Sequence, residues 1–151
     1  MKKNRSALDN AAFVETAINA SLVKTCAYEV PYIPHNAIPL SVAINASGKK
    51  RLISDVSVLN TFIKDEKVKF EDYKVAKEFV VKDGCMVFDL TSGYHHISIN
   101  TRHHTFLGFS WIFRNAVKYF DFSVLAFGIK SAPRIFTKTL RPMVKYWRFH
   151  G

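Results

Sequence analysis

The stretch from Ile97 to Leu125 limits most what this chain can become. It sets Phe106, Phe109, Trp111, Phe113, Tyr119, Phe120 and Phe122 among small and β-branched residues. Rings of this size bury large areas and suit a pleated, half-covered surface, so the stretch is read as β-structure. Arg114-Asn115-Ala116 is placed to turn the chain between two of its strands. With 151 residues, 48% of them hydrophobic, the chain holds material for one packed domain or a piece of a larger one, and it cannot be intrinsically disordered.

Two further segments carry clear periodicity. Val14, Ile18 and Leu22 recur at the spacing of one helix face, with Asp9 or Asn10 as cap and an end near Thr25. Pro31 and Pro34 exclude regular helix over 29–35. Leu40, Val42 and Ile44 then alternate with small or polar residues, Ser47-Gly48 turns the chain, and Lys50 to Val56 returns, which predicts a hairpin. Lys49, Lys50 and Arg51 sit at or just after its tip. They are either the charged guard of a solvated edge strand or a flexible grip for phosphate.

Lys64 to Lys69 reads as a loop. Glu71 to Val81 reads as a helix, with Val75, Phe79 and Val80 on one side and Gly84 as its C-terminal cap. Cys85 to Phe88 is short and apolar, as a buried strand is. Ser131-Ala132-Pro133 announces a last helix, Ser131 as cap and Pro133 in the first turn, where its missing donor costs nothing. Phe136, Leu140, Met143, Val144 and Trp147 form its apolar face; Lys138, Arg141, Lys145 and Arg148 lie opposite, and Pro142 should kink it. Taken alone, the basic stripe reads as solvated surface.

Lys plus Arg is 22 against 12 for Asp plus Glu, a net charge of +10 that favours a polyanionic partner. Two cysteines, Cys26 and Cys85, with no CxxC pair exclude a disulfide scaffold and suit a reducing, intracellular setting. Asp9 and Asn10 break the apolar run a secretory signal needs after the basic N-terminus, so secretion is not expected. No apolar run approaches the roughly 20 residues needed to cross a bilayer. His95, His96, His103 and His104 would alternate faces on a strand and share no ligand spacing with a cysteine or carboxylate, so no zinc site is expected. Neither cysteine has a base beside it in sequence, and thiol catalysis is not expected either.

The most informative position is Asp89, at the end of the short apolar run and ahead of Leu90-Thr91-Ser92-Gly93-Tyr94. Local pattern points to a carboxylate that caps a turn. The alternative is a ligand for Mg²⁺, whose preference for hard oxygens suits carboxylates and phosphates together.

Wider context favours the alternative. The string Phe88-Asp89-Leu90-Thr91-Ser92-Gly93-Tyr94-His95-His96 resembles motif A of reverse transcriptases, especially those of LTR and DIRS-like retrotransposons. Val124-Leu125-Ala126-Phe127-Gly128-Ile129-Lys130-Ser131-Ala132-Pro133-Arg134-Ile135-Phe136 resembles their motif B. Pro39 to Val42, Gly48 to Ile53, and Asp55 with Leu59-Asn60 are similar to the fingers motifs, and the leading helix to the helix before the fingers. Thr105 to Trp111 and Lys118 to Phe120 fill the expected interval. The resemblance spans about residues 36 to 148, in one order.

The resemblance implies an α+β fold: right-hand polymerase fingers over approximately 1–64 and 97–131, and part of a palm over approximately 65–96 and 132–151. It implies RNA-directed DNA synthesis from dNTPs on an RNA or DNA template–primer, with Mg²⁺ or Mn²⁺, in what is expected to be part of a polyprotein. Asp89 would be the first catalytic aspartate, and the Leu90 carbonyl a further metal ligand. The Ser92 and Gly93 amides would meet the triphosphate, and Tyr94 would exclude a 2′-hydroxyl. Arg51 would contact the α-phosphate and Lys49 or Lys50 the γ-phosphate. Phe127 and Gly128 would shape the nucleotide pocket, while Pro133, Lys138 and Arg141 would lie along template or primer.

Departures accompany the match. Asp55 is followed by Val56-Ser57, without the arginine of the family's Asp-x-Arg, and Ala126 replaces the motif B proline. The Tyr-x-Asp-Asp hairpin that completes the metal site does not occur in the 151 residues, nor do primer grip, thumb or RNase H regions. The isolated chain is therefore expected to bind metal incompletely and not to turn over. A non-catalytic nucleic-acid-binding remnant of a decayed element is the alternative, and a piece that does not fold stably alone is a third.

Overall fold

A computed structural model of the chain describes residues 4–64, 66, 74, 77 and 89–150. A short helix α1 (Arg5–Leu8) leads into α2 (Ala11–Val23), whose Val14 and Ile18 are buried as the helical spacing requires. Asn10 stands at the N-cap position without capping α2. Its amide reaches back instead to the Ser6 carbonyl at 2.9 Å, tying the two helices.

Strand β1 (Ala27–Val30) follows and ends at Pro31. The hairpin forms as the alternation predicts: β2 (Leu40–Ile44) pairs antiparallel with β3 (Lys50–Ser54), and Gly48 takes a φ of +79° in the turn. Leu40 and Val42 are buried, while Ile44 is exposed. Helix α3 (Ser57–Phe62) comes next. The Asp55 carboxylate accepts bonds from the Ser57 amide at 3.1 Å and from its hydroxyl, which lower the Asp55 pKa, the hydroxyl bond contributing most.

Lys74 and Lys77 are helical. The rest of the helix expected over 71–81, its glycine cap and the strand expected over 85–88 lie outside the described residues.

The aromatic stretch is only partly β. Residues Gly93–His96 and Thr101–Leu107 are 3-10 helices, and strands occupy β4 (Gly108–Phe113) and β5 (Ala116–Phe122). The four histidines at 95, 96, 103 and 104 thus lie on 3-10 turns and not on a strand. The Asn100 side chain starts the second turn by accepting the Arg102 amide at 3.0 Å, a local bond that competes with strand pairing. Arg114 and Asn115 both take positive φ, +46° and +67°, as a tight β4–β5 turn demands.

Strands run in the order β1-β5-β4, all antiparallel, with Phe109 opposite Phe120. Their rings stack 5.1 Å apart, and Phe109 meets Phe122 at 4.8 Å, which makes one face of the sheet a close aromatic layer. Truncating a fully buried Phe of this kind costs about 3–5 kcal/mol. The other face carries a buried polar cluster. Asp121 is fully buried and accepts the Tyr32 hydroxyl at 2.9 Å. His104 is buried with both ring nitrogens engaged, one by the Tyr28 hydroxyl and Nε2 at 3.1 Å from the Ile99 carbonyl. Gly108 admits this packing, since a β-carbon there would lie 2.0 Å from Pro34 Cβ and 2.8 Å from Asp121 Oδ1.

The last helix, α4 (Ala132–His150), starts where expected. Its first turn holds Pro133, and the Ser131 carbonyl accepts the Ile135 amide at 3.0 Å. It continues through Pro142 to His150 without interruption. Among the described residues, no helix is long and apolar enough to cross a membrane.

Candidate functional site

A short antiparallel pairing beyond β5 assembles the site. The Ile99 amide donates to the Ser123 carbonyl at 3.0 Å and the Leu125 amide to Ile97 at 2.8 Å, with a bridge between Ser98 and Val124. This pairing draws residues 94–96 towards 127 and 128. The Tyr94 ring lies 4.8 Å from that of Phe127, tilted by 40°, and 5.2 Å from Phe136, nearly perpendicular. His95 meets the edge of Phe127 at 5.3 Å. Aromatic pairs of this geometry stabilise by about 0.5–1.5 kcal/mol each beyond area burial.

Around this cluster the backbone is held by specific bonds. Gly128 has a φ of +89°, where a side chain is strained, and an added β-carbon would lie 3.1 Å from Val56. Asn60 fixes the loop: its amide donates to the Gly128 carbonyl at 2.9 Å, and its oxygen accepts the Lys130 amide at 2.8 Å. Helix α3 is thereby tied to the loop ahead of α4.

Asp89 is exposed, and among the described residues its carboxylate makes no hydrogen bond or ion pair. The capping role suggested by local pattern is not what these bonds show; the turn is closed by backbone instead. The Leu90 carbonyl accepts the Gly93 amide at 3.1 Å, and Ser92, left-handed at φ 56°, offers its carbonyl to His95 at 2.7 Å. Gly93 also lets the Phe136 ring approach, since a β-carbon there would lie 2.8 Å from its Cζ. Burial holds the His95 pKa below the usual imidazole range, with the nearby charges of Lys24 and His96 acting in the same direction.

Of the residues singled out in the sequence, Tyr94 and Phe127 come into direct contact, with Gly93 and Gly128 flanking them. Lys49, Lys50 and Arg51 lie exposed at the tip of the β2–β3 hairpin, and among the described residues no carboxylate pairs with them. Pro133 lies in the first turn of α4, beside Arg134, which pairs with Glu66. Lys138 and Arg141 are exposed further along that helix. No hydrogen bond or ion pair among the described residues joins these cations to the Tyr94 cluster. Phe136 and His95, which stand in the motif-like strings but were given no site role, prove to be part of the cluster. The bracing role of Asn60 carried no signal beyond its place in a fingers-like motif.

The Asp89 carboxylate and Leu90 carbonyl are hard oxygens of the kind Mg²⁺ takes, but an octahedral ion takes about six such donors. Among the described residues no group of three or more His, Cys, Asp or Glu side chains is gathered to hold a metal. The donor type fits the ion, and the donor set is partial.

No protein-family model matches this sequence, and no curated protein does. Solved structures do match. The chain superposes on a selenomethionine-labelled CSH mutant of prototype foamy virus protease-reverse transcriptase with a TM-score of 0.73 over 97% of its length, at 16% identity. It superposes on the native form of that protein with a TM-score of 0.66 over 96%, at 17% identity. The chain has a reverse-transcriptase-like fold. It spans 19% of the length of either structure, so the reverse-transcriptase-like unit described above corresponds to a part of those proteins. Mixed helices and antiparallel sheet, as the sequence implied, are what the two share with it.

Proposed function

We propose that this chain is the fingers and first palm portion of an RNA-directed DNA polymerase from a retrotransposon, with fingers over approximately 1–64 and 97–131. The observation that carries this reading is the contact with Phe127 of Tyr94, five residues after an exposed Asp89 that has no partner among the described residues. Residues from two separate motif-like segments thereby meet in one aromatic cluster.

On this reading, Asp89 and the Leu90 carbonyl contribute to holding Mg²⁺ or Mn²⁺, which when bound favours attack of a primer 3′-hydroxyl on a nucleotide's α-phosphate. The chain's own residues bind and orient. The Tyr94 ring, braced from behind by Phe136 and at its side by Phe127, gives the sugar a rigid floor with no room for a 2′-hydroxyl. Lys49, Lys50 and Arg51 neutralise the phosphates from the hairpin tip. The Ser92 amide faces the triphosphate; the Gly93 amide reaches it only when its bond to Leu90 opens. Pro133, Lys138 and Arg141 follow the template or primer strand. Nucleic acid and dNTPs are the partners, and a longer polyprotein is the setting.

Two-metal transfer needs more carboxylates than Asp89, so the isolated chain binds without turning over. Primer extension tests both halves. The 151-residue chain with Mg²⁺, dNTPs and annealed primer–template is expected to add no nucleotide. A polypeptide from the same reading frame continued through a Tyr-x-Asp-Asp segment is expected to extend the primer, and Asp89→Asn to abolish that extension. Extension by the Asp89→Asn form at the unmodified rate would overturn the reading.

A further inference from the structure

Helix α4 carries a surface that the Tyr94 site does not use. Arg134, Lys138, Arg141, Lys145 and Arg148 follow one another at steps of four and three along it, and no Asp or Glu occurs between Ala132 and His150. At 1.5 Å per residue this row of cations is about 21 Å long. Phe136, Leu140 and Val144 are half-buried on the inward side. Tyr146 and Phe149, by contrast, are 60% and 84% exposed. They fall next to the cations, not with the inward apolar face.

These rings are arranged among themselves. Tyr146 stacks on His150 with centroids 4.1 Å apart, His150 Nδ1 is held at 3.0 Å from the Tyr146 carbonyl, and Phe149 meets His150 edge-on at 5.0 Å. Pro142, Lys145, Tyr146, Arg148, Phe149 and His150 line one open, shallow face at the end of the helix.

The charge favours a polyanion, and the rings select among polyanions. A duplex keeps its base faces stacked inside and offers such a surface phosphates, sugars and base edges only. A single strand offers free base faces, which stack on aromatic side chains while cations follow the backbone. We propose that the last two turns of α4 bind single-stranded nucleic acid, with Lys145 on phosphate and Tyr146 and Phe149 on bases. The polymerase reading already assigns Lys138 and Arg141 of this helix to template or primer; the proposal adds Lys145, Tyr146 and Phe149, and the role of these three stands without that reading.

Anisotropy titrations of the full 151-residue chain with a labelled oligothymidylate, and separately with a duplex of equal length, test it. Tyr146→Ala combined with Phe149→Ala is expected to weaken single-strand binding about tenfold or more and duplex binding less than about threefold. Tyr146→Phe, which keeps the ring, is expected to bind as the parent does. Lys145→Ala is expected to reduce the salt slope of single-strand binding by roughly 0.7. Because both rings are exposed, unchanged circular dichroism in the double variant verifies that the helix is intact. Unaltered single-strand affinity in the double variant would overturn the proposal. So would conversion of a dimer to a monomer by that variant with affinity unchanged, which would make the face a contact between copies. Failure of the polymerase reading shows elsewhere, in primer extension by Asp89→Asn.

Discussion

The ring of Tyr94 rests 4.8 Å from the ring of Phe127, and this contact joins two segments that the chain keeps well apart in sequence. It depends on backbone pairing of 97–99 with 123–125 and on Phe136 behind the tyrosine. The site is therefore a product of the fold and not of either segment alone.

Removing the ring should be felt in stability. Tyr94→Ala loses contacts with both Phe127 and Phe136 and is expected to lower unfolding free energy by about 1–3 kcal/mol. Phe127→Ala, at a side chain 54% exposed, is expected to cost less. Urea unfolding followed by tryptophan fluorescence measures both. Equal losses would mean that Phe136 does not support Tyr94.

Asn60 braces the loop with two bonds, to the Gly128 carbonyl and from the Lys130 amide. Asn60→Ala should therefore cost about 1–2 kcal/mol, from bonds worth roughly 0.5–1.5 kcal/mol each. Asn60→Asp keeps the acceptor but sets a second acceptor against the Gly128 carbonyl, so it should cost at least as much as Asn60→Ala. Thermal unfolding at one pH ranks the three proteins.

The buried Asp121 has one donor, the Tyr32 hydroxyl, while among the described residues its Oδ1 has none. Tyr32→Phe leaves the carboxylate without that partner and is expected to destabilise by about 1–3 kcal/mol at neutral pH. The bond to Asp121 also raises the Tyr32 pKa, burial and the charge of Asp121 adding to it. A raised pKa means that the bond's stabilisation is fully present below about pH 10, the unfolded value. It is lost as pH rises through the folded value. Melting temperatures of parent and Tyr32→Phe should thus differ at pH 7 and converge in strong alkali. A constant gap through that range would contradict the assignment.

How much of this was legible in the sequence varies with how local the cause is. The β2–β3 hairpin was readable because period-two alternation at Leu40, Val42 and Ile44 meets a turn at Ser47-Gly48. The Arg114-Asn115 turn was readable because polar residues interrupt the aromatic run there. Thr101–Leu107 was not: its aromatic setting suggested a strand, but the Asn100 side chain captures the Arg102 amide and winds a 3-10 turn. Asn10 likewise looked like a cap, yet its amide found the Ser6 carbonyl. At the site, the choice of Tyr94, Phe127 and Gly128 came from motif-like strings, whereas the ring contact of Tyr94 with Phe127 is visible only in the fold. The burial of Asp121 was out of reach, because its partner Tyr32 lies on the far side of a long chain segment and only the three-stranded sheet brings them together.

His95 offers a pH readout inside the site. Burial lowers its pKa, with Lys24 and His96 contributing. For a base held neutral in this way, stability is present above the unfolded value of about 6.5 and is lost as pH falls through the folded value. An NMR titration should place the His95 midpoint below that of a model imidazole, with Phe127 ring signals shifting at the same pH. A midpoint at or above 6.5 would contradict the burial of the ring against Phe127.

The proposed function has Asp89 and Tyr94 receive a metal-bound nucleotide whose phosphates the Lys49–Arg51 hairpin tip neutralises. Paramagnetic broadening tests it on the 151-residue chain, since it detects even weak ion binding. Titrating Mn²⁺ with a dNTP should broaden resonances of residues 89–95 and 127–128 and shift those of Lys49 to Arg51, and Asp89→Asn should remove the broadening. Broadening centred elsewhere, or left unchanged in Asp89→Asn, would contradict the account.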